Sequence, residues 1–332
     1  MASGPLLTPS DLSQKSSDKG KDPWLDLGVA CEGLAAIDGL LNLASDVDLK
    51  DSFVAQLRPL LAEFPNLHRG LVPLHRFVEN TRVPKSFMVF LDRDRDALPS
   101  LLQILSIEST AIEWLISDPD SFDWLRLSAG QSVDPEHLKD ILVGEIQNLD
   151  DEDQILASMK RFRRRESLRV ICSFCLQDMS PGVVAQQLSW IADAGIAAAL
   201  FAANAERLRD RRSRSSGPVI DLSNFVTVIG IGSLGGQELD LDGSLEMILL
   251  TDTGLIPDES RELLIEDDMQ RRARRALSFL ASPDGLGYSV VFPYNPEGSK
   301  SNEIYLHDYR RWIQTIENHG RTWQRQIGRA HV

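Results

Sequence analysis

The sequence predicts an α+β protein in which a helical N-terminal region precedes a smaller α/β domain built on a small mixed sheet. Two observations carry this. Almost every segment between about 24 and 208 has apolar residues at helical spacing. After a stretch of charge, serine, glycine and proline, "RDRRSRSSGP" at 209–218, the pattern changes to short runs rich in β-branched residues.

In order along the chain, "MASGPLLTPSDLSQKSSDKGKD" (1–22) lacks a continuous apolar core and reads as a flexible polar arm, not a secretory signal. A helical domain is expected over 23–208. Within it, "DSFVAQLRPLLAEF" places Phe53, Leu57, Leu60 and Leu61 on one stripe. "LPSLLQILSIESTAIEWLISD" carries a second stripe, interrupted near 106–110. "DDEDQILASMKRFRRRESLRVICSFCLQDM" reads as one long helix, and its acidic first turn suits the helix dipole. Another helix opens at Pro181 after Ser180 and runs to about Arg209. Its alanine-rich centre, "IADAGIAAALFAANA", implies close packing against a neighbour. Residues 209–218 are expected to be a linker.

An α/β domain is expected over 219–326. "NFVTVIGIG", "LEMILLTD" and "GYSVVFPY" read as strands, with the helix "SRELLIEDDMQRRARRALSFLAS" between the last two. The sheet should therefore come from 225–231, 245–251 and 287–293, with the glycine turn at 232–236 facing the 245–251 strand. "IGRAHV" (327–332) matches a common sequencing adapter translated in one frame. It is set aside from fold reasoning, and the chain is expected to be a truncated read.

Composition narrows the function classes. The 332 residues are 42% apolar with a formal net charge of −14. A field of that sign repels nucleic acid and anionic membrane, so neither is expected as a partner. No apolar run is expected to span a bilayer. Three cysteines in so long a chain argue for a reducing compartment, and the expected location is cytoplasmic.

The chemistry concentrates in "VIGIGSLGGQELDLDGSLEMILL" (228–250): an apolar run, a glycine-rich turn, acidic residues and a second apolar run. Backbone N–H groups of such a turn can cradle phosphate, and alternate residues of the following strand share a face that can hold a metal. "GSLGGQEL" (232–239) resembles the GKLGGxEL signature of the glutamine synthetase adenylyltransferases, also called glutamate–ammonia ligase adenylyltransferases. "SPDGLGYSVVFPYNPEG" (282–298), "GRTWQRQ" (320–326), "RFRRRESLR" (161–169) and "WLISDPDSFDWL" (114–125) resemble further motifs of that family, in its order. The resemblance runs from about 71 to 326 and matches the family's first, adenylyl-removing half better than its second.

The resemblance implies a helical region followed by a polymerase-β-like nucleotidyltransferase domain. It implies Mg2+ and ATP as cofactors, with glutamine synthetase and a nitrogen-regulatory signalling protein as partners. Family enzymes add AMP to a tyrosine of glutamine synthetase or remove it. Gly232, Ser233, Gly235 and Gly236 take the family's phosphate-binding positions. The family's three metal-binding aspartates fall on Ser244, Glu246 and Val291. Its lysine falls on Ser233, and two of its arginines fall on Pro293 and Asn295. Scaffold residues persist at Gly232, Leu234, Gly235, Gly236, Glu238, Leu239, Tyr288, Val290, Pro296, Gly298 and Trp323.

Two of three metal carboxylates are therefore missing, and Glu246 is expected to hold magnesium only weakly. Asp242 shares the parity of Glu246 and could help hold one cation if the strand began early. The blander expectation puts Asp240 and Asp242 in a solvated turn. Two readings stay open: the front part of a bifunctional adenylyltransferase with an impaired site, or a non-catalytic module that recognises glutamine synthetase, a nucleotide or a regulator. Other features have plain structural readings. Cys172 and Cys175 have CxxC spacing but lie mid-helix, and read as packed thiols. The histidines at 68, 75, 137, 307, 319 and 331 show no metal spacing. The basic run at 160–165 with Arg169 reads as a solvated face.

Overall fold

The apolar stripes of the N-terminal part become a series of short helices separated by breaks. In the computed structural model, the described residues are 24–107, 110–128, 132–177, 179–214, 226–252, 266–292, 306–319 and 330–331. They fall into two compact units, Met1–Glu108 with Ile116–Asp120, and Ser109–Leu115 with Ser121–Val332.

The first unit contains α1 (Cys31–Leu43), α2 (Val47–Glu63), α3 (Leu71–Asn80), α4 (Pro84–Arg93) and α5 (Ala97–Leu105). Asp46 caps α2 by accepting the Leu49 N–H at 2.8 Å. The expected stripe is buried at Phe53, Leu57 and Leu61, with Leu60 at its margin. Helix α1 lies close on α3: a Cβ added to Gly39 would run into the His75 ring. The break expected near 106–110 separates α5 from α6 (Thr110–Ser117).

The second unit holds α7 (Phe122–Ser128), α8 (Pro135–Ile146), α9 (Glu152–Gln177) and α10 (Pro181–Arg214), followed by the sheet. Helix α10 is the spine on which α8, α9 and α12 (Glu266–Ala281) pack. Its buried Ala192, Ala194, Ala198, Ala199, Ala202 and Ala203 leave little side chain between axes, which permits that close approach. The helix runs on to Arg214, past the start of the stretch expected as a linker, and Arg209 pairs with Asp150 at 2.7 Å. Residues 215–218 lie outside the described residues, as do 1–22.

One expectation needs correction here. The stretch Pro181–Glu206 is long and apolar enough to cross a membrane, with mean hydropathy 1.4 in its best window. Two-thirds of that window is buried inside the protein, so its apolar character serves the core. Arg275 of α12 ties the helices at one end, bonding Glu206 of α10 and Glu152 of α9, both at 2.7 Å. Its hydrogen bonds hold the Glu152 carboxyl below the ordinary carboxylate range.

The sheet has the order β3-β2-β1-β5, with β4 also on β2. Strands β1 (Val226–Ile231) and β2 (Leu245–Thr251) pair antiparallel, joined through the short helical turn α11 (Gly232–Gly236). β3 (Val290–Val291) runs parallel beside the start of β2, and β4 (Leu306–Asp308) parallel beside its end. The three expected strands thus appear within their expected ranges, the third shortened to two described residues. β4 was not expected, and neither was β5 (Ala330–His331), which pairs with Val228 and Ile229. An open sheet edge presents unpaired N–H and C=O groups that a very short extended segment can satisfy, whatever its sequence pattern.

Alternation along β2 sorts its residues between two faces. Leu245, Met247 and Leu249 join the helical core with Val228, Leu234 and Leu286. Ile248 and Leu250 join Ile229 and Trp312 of α13 (Tyr309–His319) in a smaller cluster on the other face. Burial on both faces is why β2 reads as an almost unbroken apolar run. Trp312→Ala should cost about 3 kcal/mol or more by removing the largest member of the small cluster, measurable as a lower urea midpoint with an unchanged slope.

Candidate functional site

The glycine turn starts where β1 stops. Gly232 takes a left-handed φ of 56°, a conformation that glycine adopts without a Cβ penalty. One helical turn follows and ends on Gln237, also left-handed at φ 58°. The turn is closed by Glu238 N–H donating to the Ser233 carbonyl at 2.7 Å. Leu234 is fully buried beneath it, and the Leu239 N–H donates to Ser189 Oγ of α10 at 3.2 Å. Ser233 and Gly235 are half-buried, while Gly232 and Gly236 are exposed.

The turn faces β2 through one residue. Ile231 pairs with Glu246, and a Cβ built on Gly232 would meet the Glu246 carboxylate at 2.7 Å from Oε2 and 3.2 Å from Oε1. On the opposite side Glu246 pairs with Val291 of β3. Val291 is 41% exposed, on the face away from the helical core. Ser244 lies just ahead of β2, outside the strand, and is half-buried. Glu246 and Val291 therefore lie side by side on the sheet next to the glycine turn, with Ser244 one residue ahead of β2. What they offer is a hydroxyl, a carboxylate and a hydrocarbon.

Asp242 does not follow the strand parity. It sits in an exposed turn, closed by Gly243 N–H bonding to the Asp240 carbonyl at 3.0 Å, and its carboxylate accepts from Thr110 Oγ1 at 2.7 Å. Among the described residues, no group of three or more His, Cys, Asp or Glu is placed to hold a metal ion. Pro293, Asn295, Pro296, Gly298 and Trp323 lie outside the described residues.

The sequence reading missed what holds this patch in place. Arg163 and Arg169 of α9, expected on a solvated face, are 7% and 3% exposed. The Arg163 guanidinium lies 3.8 Å from the centre of the Tyr288 ring. It donates through Nη2 to the Leu241 carbonyl at 2.9 Å and through Nη1 to the Leu286 carbonyl. Leu241 is in the turn that leads into Ser244 and β2, and Leu286 in the turn that leads into β3. One side chain thus sets the approach of both strands that carry the patch. The hydroxyl of Tyr288, also bonded to Arg163, is raised above its ordinary value chiefly by burial. Beside it, Glu166 bonds Arg165 and Arg169 at 2.9 Å each, and Arg169 reaches Gln187 of α10 at 3.3 Å. The signal available in sequence was the Glu166 carboxylate inside the basic run, which marks charges that can pair within one helix.

Arg163→Met should destabilise the protein by about 3 kcal/mol, because two buried carbonyls lose a charged donor. Arg163→Lys should recover only part of this, since an ammonium cannot span both carbonyls while stacking on a ring. Chemical unfolding of the two variants measures both effects.

The CxxC pair is inert in this setting. Cys172 and Cys175 are buried, and burial pushes both thiols up to about 12. At pH 8 the native protein should react quickly with a thiol reagent at the exposed Cys31 alone, and at all three cysteines once unfolded. Because the folded values are raised, the stability linked to these thiols is present below the unfolded value of about 8.5 and declines as pH rises towards 12. Mass counting of labelled thiols against pH reads the reactivity directly.

Taken together, the second unit is an α+β structure whose small mixed sheet sets a glycine turn beside Glu246 and Val291. The chain belongs to the glutamate–ammonia ligase adenylyltransferase family, whose model matches residues 98–332. Its relatives include bifunctional glutamine synthetase adenylyltransferase/adenylyl-removing enzymes. That of Pseudomonas syringae pv. tomato is 25% identical over 327 residues, covering 93% of this chain and 32% of the relative. That of Xanthomonas oryzae pv. oryzae is 27% identical over 250 residues, covering 73% and 25%. That of Neisseria meningitidis serogroup A is 24% identical over 291 residues, covering 83% and 29%. The chain thus spans about a quarter to a third of the length of these relatives.

Proposed function

We propose that the second unit carries a polymerase-β-like nucleotidyltransferase domain that no longer performs metal-dependent adenylyl transfer or removal. Family membership supports the nucleotidyltransferase reading, as does the order strand, glycine turn, antiparallel strand, parallel strand. The observation that carries the loss of catalysis is the pairing of Glu246 with Val291. By the resemblance these two residues stand at the family's second and third carboxylate positions, and one of them is a valine. Magnesium requires near-octahedral oxygen ligation, and a displacement at phosphorus needs the metal charge close to the reacting oxygens. One carboxylate and one hydroxyl do not fit that need, and Asp242 is engaged by Thr110.

The relatives act on glutamine synthetase, as their names state, which makes it the partner in this proposal, and ATP is the nucleotide that the family chemistry implies. The compartment in this proposal is the cytoplasm, supported by three free cysteines. A nitrogen-regulatory protein remains part of the proposal through the family resemblance alone.

Calorimetric titration with magnesium, with and without ATP, tests the reading. The expected outcome is no saturable binding at millimolar metal. Tight stoichiometric binding that is abolished by Glu246→Gln or Asp242→Asn would overturn it. The converse experiment rebuilds the site with Ser244→Asp, Glu246→Asp and Val291→Asp together. Three like charges on one patch should lower stability without metal. Magnesium should then raise the melting temperature of the triple variant alone, by the equivalent of about 2.7 kcal/mol at a hundredfold excess over Kd. Adenylyl transfer to glutamine synthetase should recover less, because Ser233 supplies no cation.

A further inference from the structure

We infer that Glu246 acts as a built-in competitor for phosphate, its carboxylate lying over the first glycine of the turn at 232–236 and excluding nucleotide from it. The inference rests on the reading of that turn as the domain's phosphate-facing element. Gly232 has no Cβ, and the space a Cβ would fill is bounded by three atoms of one side chain. Oε2, Cδ and Oε1 of Glu246 stand 2.7, 3.0 and 3.2 Å from that position. The carboxylate therefore occupies the space that a side chain at 232 would fill, on the side where a glycine lets a ligand approach the backbone.

Backbone pairing fixes this placement. Ile231 and Glu246 are direct partners across β1 and β2, so the side chain rises beside the residue that leads into Gly232. Its length matters as well. An aspartate, as the family has at this position, is one methylene shorter and would hold its carboxylate nearer its own strand. The substitution that keeps an acid here thus moves the charge from the metal position towards the turn. A phosphate entering this space would meet a like charge at contact distance, with Val291 offering no cation on the other side.

The full chain is tested with two probes, ATP in EDTA and tripolyphosphate, each titrated by calorimetry and by shift of the melting temperature. Glu246→Gln keeps the shape and removes the charge, and Glu246→Ala removes both. Each should bind the probes at least about tenfold more tightly than the unaltered chain, with Ala gaining at least as much as Gln. Glu238→Gln is the control, since Glu238 is an exposed acid at the other end of the turn, 3.7 Å from the Cβ position of Gly236. It makes the same change in net charge and should bind no better than the unaltered chain.

Equal gains from Glu238→Gln and Glu246→Gln would overturn the inference, because the effect would then be bulk charge. No gain in either Glu246 variant, with melting curves showing both folded, would also overturn it. That result would leave the loss of metal-dependent catalysis untouched. Tight magnesium-dependent ATP binding by the unaltered chain, lost in Glu246→Gln, would instead sink the catalytic reading.

Discussion

The second unit depends on a buried guanidinium. Arg163 projects from α9, places its guanidinium over the Tyr288 ring, and bonds the backbone of the turns before β2 and β3. A buried positive charge is tolerable only where fixed dipoles replace the water it has lost. Here two carbonyls and an aromatic face supply them. The constraint acts in both directions, because those turns also need a donor for carbonyls that face the interior. The helices and the sheet are locked by the same side chain, and the edge of the sheet that carries the candidate site inherits its position from that lock.

Backbone and side-chain chemistry have separated at this site. The glycine turn, the antiparallel hairpin and the parallel third strand depend on φ values, alternation and apolar packing. None of these needs an aspartate at 244 or 291, or a lysine at 233. Charged ligands cost stability when they are crowded together without their metal. On the proposed loss of catalysis, the domain could lose them and keep its fold. The acid at 246 is a glutamate, and its side chain is long enough to bring the carboxylate to the turn.

Much of this architecture was legible in sequence wherever a period or a breaker was long enough to read. The strands of 226–231 and 245–251, the break after Leu105 and the long helix of 152–177 all follow from such patterns. β4 and β5 were not legible, because two or three residues carry no periodicity. The alanine-rich helix α10 was read as packed, but its capacity to pass for a membrane span was overlooked. Length and hydropathy describe a segment alone, and burial depends on its neighbours.

The sequence by itself determined the family, the order of elements, and the chemical content of the three aligned positions: serine, glutamate and valine. Those are properties of residue type and local spacing. The tertiary structure alone decided that the basic run is partly buried, that Asp242 turns aside to Thr110, and that Glu246 reaches back over Gly232. Each of these is a contact between segments far apart in sequence or on different strands. Its geometry is set by pairing register and by the need to satisfy buried polar groups, which no local pattern encodes.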